Sequence, residues 1–361
     1  MELVSKFTSK VILGIVFLFL SSCASTDIDE AEFESTEEET RRVLDDAYVV
    51  EQQKKLKEYQ PDKVKLKTIS PEKNALKAPS FALPKSKVAK SKGGAVDKSY
   101  LSQTATWKDQ DLKSYDLWKL FSPSYIKVKE KHVLSASYTG INAASIIIEV
   151  KPPVRYQSRD VYHFQARAQT ADFYKWVYSL NDVVDSLVDK QHFVSLKYSL
   201  IQKEKNKEID DIQFYDRNTL MTFSHYKKKK KDKVEESKKE AEIPFFGQDY
   251  FSSLFFVRGL PLNDKDHYFF PTTTKSQTWL MSIKVLAREK KKIGIGEFKA
   301  IKLELITKYT GDLAKKGPIT IWLHDDETRA LLAASAEVKI GSIKVELSQY
   351  YQDNKLILGE K

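Results

Sequence analysis

The chain has 361 residues, a single cysteine, and 60 Lys+Arg against 50 Asp+Glu for a net charge of +10. That length holds one large or two modest domains, and one cysteine excludes an internal disulfide or a thiolate metal cluster. The basic balance favours anionic neighbours such as lipid phosphates or acidic polymers.

Lys6 and Lys10 precede the apolar run Val11 to Leu20, and Ser21, Ser22 and Cys23 follow. A positive start, a short apolar middle and small residues make a secretory signal, residues 1–22. The run is shorter than the roughly 20 apolar residues that span a bilayer. Leu20-Ser21-Ser22-Cys23 resembles the lipobox of bacterial lipoproteins. That resemblance implies a diacylglyceryl group on the Cys23 sulfur, cleavage before it, acylation of the new amine and a membrane anchor. Ala24 stands where an aspartate would resemble an inner-membrane retention signal, so the expected location is the periplasmic face of the outer membrane. Export argues against nucleic acid as a partner.

Residues 23–60 read as an acidic stretch followed by a helical stalk, with Val43, Leu44, Ala47, Tyr48 and Val50 at roughly helical spacing. Residues 61–100 are rich in lysine and proline and read as a flexible linker. Trp107, Leu112, Tyr115, Leu117, Trp118 and Phe121 restore large apolar groups, giving short docking helices over 101–123.

From 124 to 351 the apolar period changes to two. Tyr162, Phe164, Ala166 and Ala168 alternate with polar residues, as do Ile301, Leu303 and Leu305, and Ile343, Val345 and Leu347. Such alternation marks antiparallel strands with one buried face. Further strands are expected at Val133–Tyr138, Ser145–Val150, Val183–Val188, Leu196–Gln202, Ile212–Tyr215, Leu220–Tyr226, Trp279–Ala287, Ile319–Leu323 and Leu331–Ile340. About a dozen strands with few helices predict a mostly β domain, a curved antiparallel sheet or barrel-like body preceded by a flexible tether. Gly294-Ile295-Gly296 and Ile340-Gly341-Ser342 suit hairpin turns. Two helices are expected. One covers Ala171 to Leu180. The other is capped by Asp249, runs to Val257 or Arg258, ends at Gly259 and is blocked by Pro261. The basic run Lys227 to Lys233 reads as a long exposed loop, and residues 352–361 as a tail.

Asp216-Arg217 after a strand, "DYFSSLFFVRGLPL" from Asp249, "GEFKAIKLEL" from Gly296 and "ITIWLHDDETRALLAASAEVKIGSIKVEL" from Ile319 occur in one order. Together they resemble the DUF3108 family of bacterial envelope proteins, over roughly Lys131 to Gln349. The most specific residues are Asp249, Ser252 and Arg258 in the helix and Trp322, Asp325, Asp326 and Arg329 near the end. The family's function is unknown, so the resemblance implies fold and compartment and no reaction. The sequence departs from the family's usual pattern at His324, Leu331 and near Ala144.

Asp325-Asp326 with His324 and Arg329 is the densest polar cluster, and adjacent carboxylates could hold a cation or act as acid and base. It lies between two strands, where aspartates hold turns and Arg329 would pair with one carboxylate. Asp216-Arg217-Asn218 has the same setting. Arg258 is expected to pair with one of these aspartates. The six histidines show no metal spacing, and no nucleophile elbow, phosphate loop or dinucleotide fingerprint is present. No cofactor and no metal are expected. The chain therefore reads as a lipid-anchored, non-enzymatic binding or scaffolding protein. Its partners would be the membrane through Cys23 and a lipid, envelope polymer or envelope protein. The alternative is a hydrolase of an envelope polymer using Asp325, Asp326 or Asp216.

Overall fold

The computed structural model describes residues 117–138, 140–170, 180–204, 207–230, 233–308, 318–337 and 342–360. The signal, lipobox, stalk and linker, Trp107 to Tyr115, the helix expected from Ala171 and the Ile340-Gly341 turn all lie outside these residues.

Eight strands run outward from the centre of one sheet. They are β1 (Glu130–Tyr138), β2 (Ile141–Tyr156), β3 (Arg159–Thr170), β4 (Leu180–Asp189), β5 (Ser195–Glu204), β6 (Lys207–Asp216), β7 (Met221–Lys230) and β8 (Lys233–Glu242). Helix α1 (Tyr250–Arg258) then crosses to the far side. There β9 (His267–Thr274), β10 (Gln277–Ile293), β11 (Gly296–Lys308), β12 (Ile319–His324), β13 (Leu331–Glu337) and β14 (Ser342–Gln352) return to the centre. The order is β8-β7-β6-β5-β4-β3-β2-β1-β14-β13-β12-β11-β10-β9, with β15 (Lys355–Leu358) paired to β14. Every ladder is antiparallel, and the two meanders join where β1 pairs with β14. The sheet is curled and open, with β8 and β9 as its ends.

The alternation read in the sequence sorts the faces. Leu134 and Ala136 of β1, Tyr162 and Phe164 of β3, Ile301 and Leu303 of β11, and Ile343 and Val345 of β14 join one apolar core. On the wet face His163 meets Asp185 at 2.6 Å and Arg167 meets Glu149 at 3.3 Å.

Helix α1 is buried on all sides, since every residue from Phe251 to Arg258 is buried. A helix apolar all round belongs inside a core rather than on its surface. Phe255 stacks on Phe164 with centroids 3.8 Å apart, and Phe256 stacks on Trp118 at 4.1 Å. Trp118, in the short helical stretch 117–120, also donates from Nε1 to the Phe193 carbonyl. The expected docking of this segment is thus present for Leu117, Trp118 and Phe121.

Three expectations are corrected. Lys227 to Lys230 and Lys233 do not form a loop but lie in the paired strands β7 and β8. Lysines there face glutamates in register, as in Lys228–Glu235 at 2.9 Å, and charge is what a sheet edge tolerates. Residues 355–358 are strand rather than tail, turned back by Asp353-Asn354 with φ of 49° and 63°. Two left-handed residues give the hairpin turn whose twist matches its strands. Leu180 is the first residue of β4 rather than the end of a helix.

Candidate functional site

The polar residues singled out in the sequence do not converge on one centre. Asp249, Ser252, Arg217, Arg258 and Arg329 fasten helix α1 and the chain around it to the sheet, while Asp216, Trp322, Asp325 and Asp326 serve turns and the outer face. At the helix N-terminus Asp249 forms a capping box with Ser252: Ser252 N donates to Asp249 Oδ1 at 2.8 Å, and Asp249 N donates to Ser252 Oγ at 3.1 Å. Ser186 of β4 and Ser195 of β5 both donate to Asp249 Oδ2, at 2.5 and 2.8 Å. Burial pushes the Asp249 carboxyl up, and hydrogen bonds from Ser186, Ser195 and Ser252 oppose that rise.

Arg217 is fully enclosed and bonds only carbonyls. Its guanidinium donates to Ser195 O at 2.9 Å, Pro244 O at 2.8 Å, Phe245 O at 3.2 Å and Gly247 O at 3.0 Å. It pins the segment leading into the helix against the start of β5. Desolvation lowers its pKa to about 10, which leaves it charged at neutral pH. Asp216 holds the β6–β7 turn by accepting from Asn218 N at 2.8 Å and Thr219 N at 3.2 Å.

At the helix C-terminus Arg258 pairs with Glu130 of β1, at 2.5 Å and 2.9 Å through its two terminal nitrogens, and donates to Tyr125 O and Thr328 O. The partner is therefore a glutamate, and the expected pairing with an aspartate is corrected. Arg329 donates to the carbonyls of Arg258, Leu260 and Pro261, groups that a helix leaves open at its end. Its guanidinium also lies 3.8 Å from the Tyr125 ring. The expected ion pair between Arg329 and a neighbouring aspartate is replaced by these carbonyl bonds. Only its backbone is held by Asp326, which accepts from Arg329 N at 3.1 Å and Thr328 N at 2.9 Å. His324 lies 2.8 Å from the other Asp326 oxygen. Hydrogen bonds from His324 and Thr328 bring the Asp326 carboxyl down to about 2, against the opposing effect of its burial. Asp325 accepts from Arg288 Nε at 3.1 Å. Trp322 donates to Glu289 at 2.7 Å with Lys291 4.0 Å above its ring, on the wet face of β12.

The sequence reading missed a polar lane on the inner face of β4 to β7. Asp182 is buried with Gln202 donating at 2.6 Å, and desolvation raises its pKa to about 8. Asp211, raised to about 6 by burial, lies beside Gln213 and Lys275. Tyr215 donates to Thr273 O at 3.0 Å, and Gln213 to Thr274 Oγ1 at 3.3 Å. At the β6 end this lane meets β9, where the Thr273 carbonyl takes its donor from Tyr215. The signal was present: Asp182 shares its register parity with Leu180, Val184 and Val188, which point inward. Elsewhere inside, His132 is buried against Tyr350 with neither ring nitrogen bonded, and desolvation followed by the Arg258 charge holds it neutral.

Among the described residues no three or more His, Cys, Asp or Glu gather as metal ligands. No described helix is long and apolar enough to cross a membrane.

The model of a family of proteins of unknown function, DUF3108, matches residues 134–348. No match was found among the curated proteins. Solved structures that resemble the chain include a β-barrel-like protein with a domain of unknown function, DUF1849, from Brucella abortus. It is 8% identical with a TM-score of 0.40, over 63% of this chain and 98% of that one. Another is a protein assigned as exported, with a YmcC-like fold, from Bacteroides fragilis. It is 11% identical with a TM-score of 0.25, over 63% and 97%. A protein assigned as a lipoprotein, from Parabacteroides distasonis, is 10% identical with a TM-score of 0.24, over 62% and 96%.

Proposed function

The chain belongs to the DUF3108 family of proteins of unknown function, and from that premise we propose that it is a lipid-anchored protein of the Gram-negative envelope that binds or scaffolds an envelope component without transforming it. The anchor is Cys23, on the periplasmic side of the outer membrane, and the partner is a lipid, an envelope polymer or an envelope protein. The observation that carries the reading is the employment of the motif residues. Asp249 and Ser252 cap one buried helix, Arg329 bonds its C-terminal carbonyls, Arg258 ties its last turn to Glu130 and Tyr125 O, and Arg217 bonds the carbonyls of the segment leading into it. Buried groups engaged in this way build a rigid body rather than face a substrate. A hydrolase using Asp216, Asp325 or Asp326 draws no support from this geometry. Asp216 holds one turn, Asp326 holds another, and Asp325 is paired to Arg288.

Metabolic labelling with palmitate tests the anchor: the wild type incorporates label and Cys23→Ala does not. Affinity capture from crosslinked envelopes tests the role. A partner recovered with the wild type and lost with Cys23→Ala supports scaffolding at the membrane. A mature chain that is unacylated and freely soluble overturns the proposal.

A further inference from the structure

The two ends of the sheet, β8 and β9, meet without a ladder. One isolated bridge, Gln248 with Thr272, is the backbone link of β9 to the other side among the described residues. Beyond that bridge the end of β9 and its turn slide beneath the inner faces of β6, β7 and β8, and side chains make the join. Tyr215 reaches Thr273 O and Gln213 reaches Thr274. Ser276 Oγ lies 2.8 Å from Ser224 Oγ of β7 and 3.1 Å from Lys239 O of β8. The Lys275 ammonium sits 4.1 Å above the Tyr226 ring. Lys275 and Ser276 both take left-handed φ, 49° and 55°, a turn made here without glycine.

We propose that this overlap is an opening seam, in which the β9–β10 turn unclasps from β6, β7 and β8 while the rest of the sheet stays paired. The contrast in bonding supports it. Every other boundary along the path is a backbone ladder several residue pairs long, whereas the seam rests on one isolated bridge, a few bonds donated by neutral side chains and a stacked lysine. Such bonds each contribute little net stability, and regions held this way open below the global unfolding free energy. Opening uncovers the polar lane, including Gln213 and Thr222, both otherwise fully buried.

Charge at the seam makes the opening respond to pH. Asp211 faces Lys275 from β6, with Tyr198, Tyr215 and Tyr226 around it, and Lys228 and Lys239 repel Lys275 from β7 and β8. The closed form raises the Asp211 pKa to about 6. Closure therefore weakens as pH rises through that value and the buried carboxyl ionises.

A clasp disulfide tests the seam. In full-length Cys23→Ala carrying Ser224→Cys and Ser276→Cys, hydrogen exchange of β9 is compared in oxidised and reduced protein. Oxidation should slow β9 at least tenfold and leave β1 and β14 unchanged. Equal β9 exchange in both states overturns the proposal, as does failure of the pair to oxidise. In a second chain, Cys23→Ala with Thr222→Cys, the buried thiol should label under native conditions. The rate, corrected for thiolate content, should rise when Ser276→Ala is added and between pH 5 and 7.5. Labelling that occurs only with global unfolding overturns it too.

Discussion

Arg258 at the end of the buried helix and Glu130 at the start of β1 form a two-pronged ion pair, and neither side chain is more than 1% exposed. The pair joins the helix to the strand at the centre of the sheet, across 128 residues of sequence. Tyr350 of β14 donates to the same carboxylate at 3.3 Å. One glutamate thus ties the helix to both strands that connect the two meanders.

Removing one partner leaves a buried charge alone, which typically costs about 3–5 kcal/mol. Arg258→Met and Glu130→Gln should each lower unfolding stability by that order, measured by urea titration. The double variant should recover part of the loss, because the uncompensated charge is gone. A double variant as unstable as the two losses added together would show that the pair itself contributes little.

The buried acids set a pH dependence of definite sign. Asp182 and Asp211, near 8 and 6 when folded, hold protons that the unfolded chain releases near pH 4. Stability from these two groups is greatest below pH 4 and falls as pH rises through 6 and then 8. Asp182→Asn and Asp211→Asn should flatten the decline, Asp211→Asn raising stability at pH 7.5 by about 3 kcal/mol. Thermal melts across pH 4–9 check this.

Asp326 works in the opposite sense. Its folded pKa near 2 lies below the unfolded value, so its contribution is present above pH 4 and disappears as pH falls towards 2. Asp326→Asn should narrow the acid-unfolding difference between pH 4 and 2 while altering the pH 6–8 range little. Acid titration followed by circular dichroism reads the change.

Gly259 offers a steric test. A Cβ there would fall 2.2 Å from the Phe121 ring and 2.8 Å from Ser122 O. Gly259→Ala should push the segment carrying Trp118 and Phe121 away from α1, with a destabilisation of about 1–3 kcal/mol. A red shift of tryptophan emission, with β-sheet circular dichroism retained, is the expected signature.

Much of this fold was legible where alternation was clean. The inward sets of β1, β3, β11 and β14 were found because one face meets apolar core and the other meets water. Asp249, Gly259 and Pro261 marked the helix, because caps and breakers act locally. The sequence did not show that the helix lies inside, since Phe251, Leu254 and Phe255 alone suggest one apolar face, and only the sheet around it buries the rest. β8 and β15 were missed for physical reasons: β8 is a charged edge with no buried face to impose a period, and β15 is only four residues long with none of them buried. β9 was hidden by Pro271, which an edge accepts. The partners of Arg258 and Arg329 were misassigned because both arginines answer to atoms distant in sequence, a glutamate and a helix end.

The junction of β1 with β14 has a consequence for biogenesis. The first strand of the domain acquires its second neighbour only from the last long strand, so a nascent chain carries β1 and β2 with one flank bare. Neither meander can finish the enclosure of α1 alone, and trimming the C-terminus before β14 would leave two incomplete half-shells joined by an exposed aromatic helix. Completion of the enclosure must therefore await arrival of the whole polypeptide, and a chain stopped short of β14 presents apolar surface that favours aggregation.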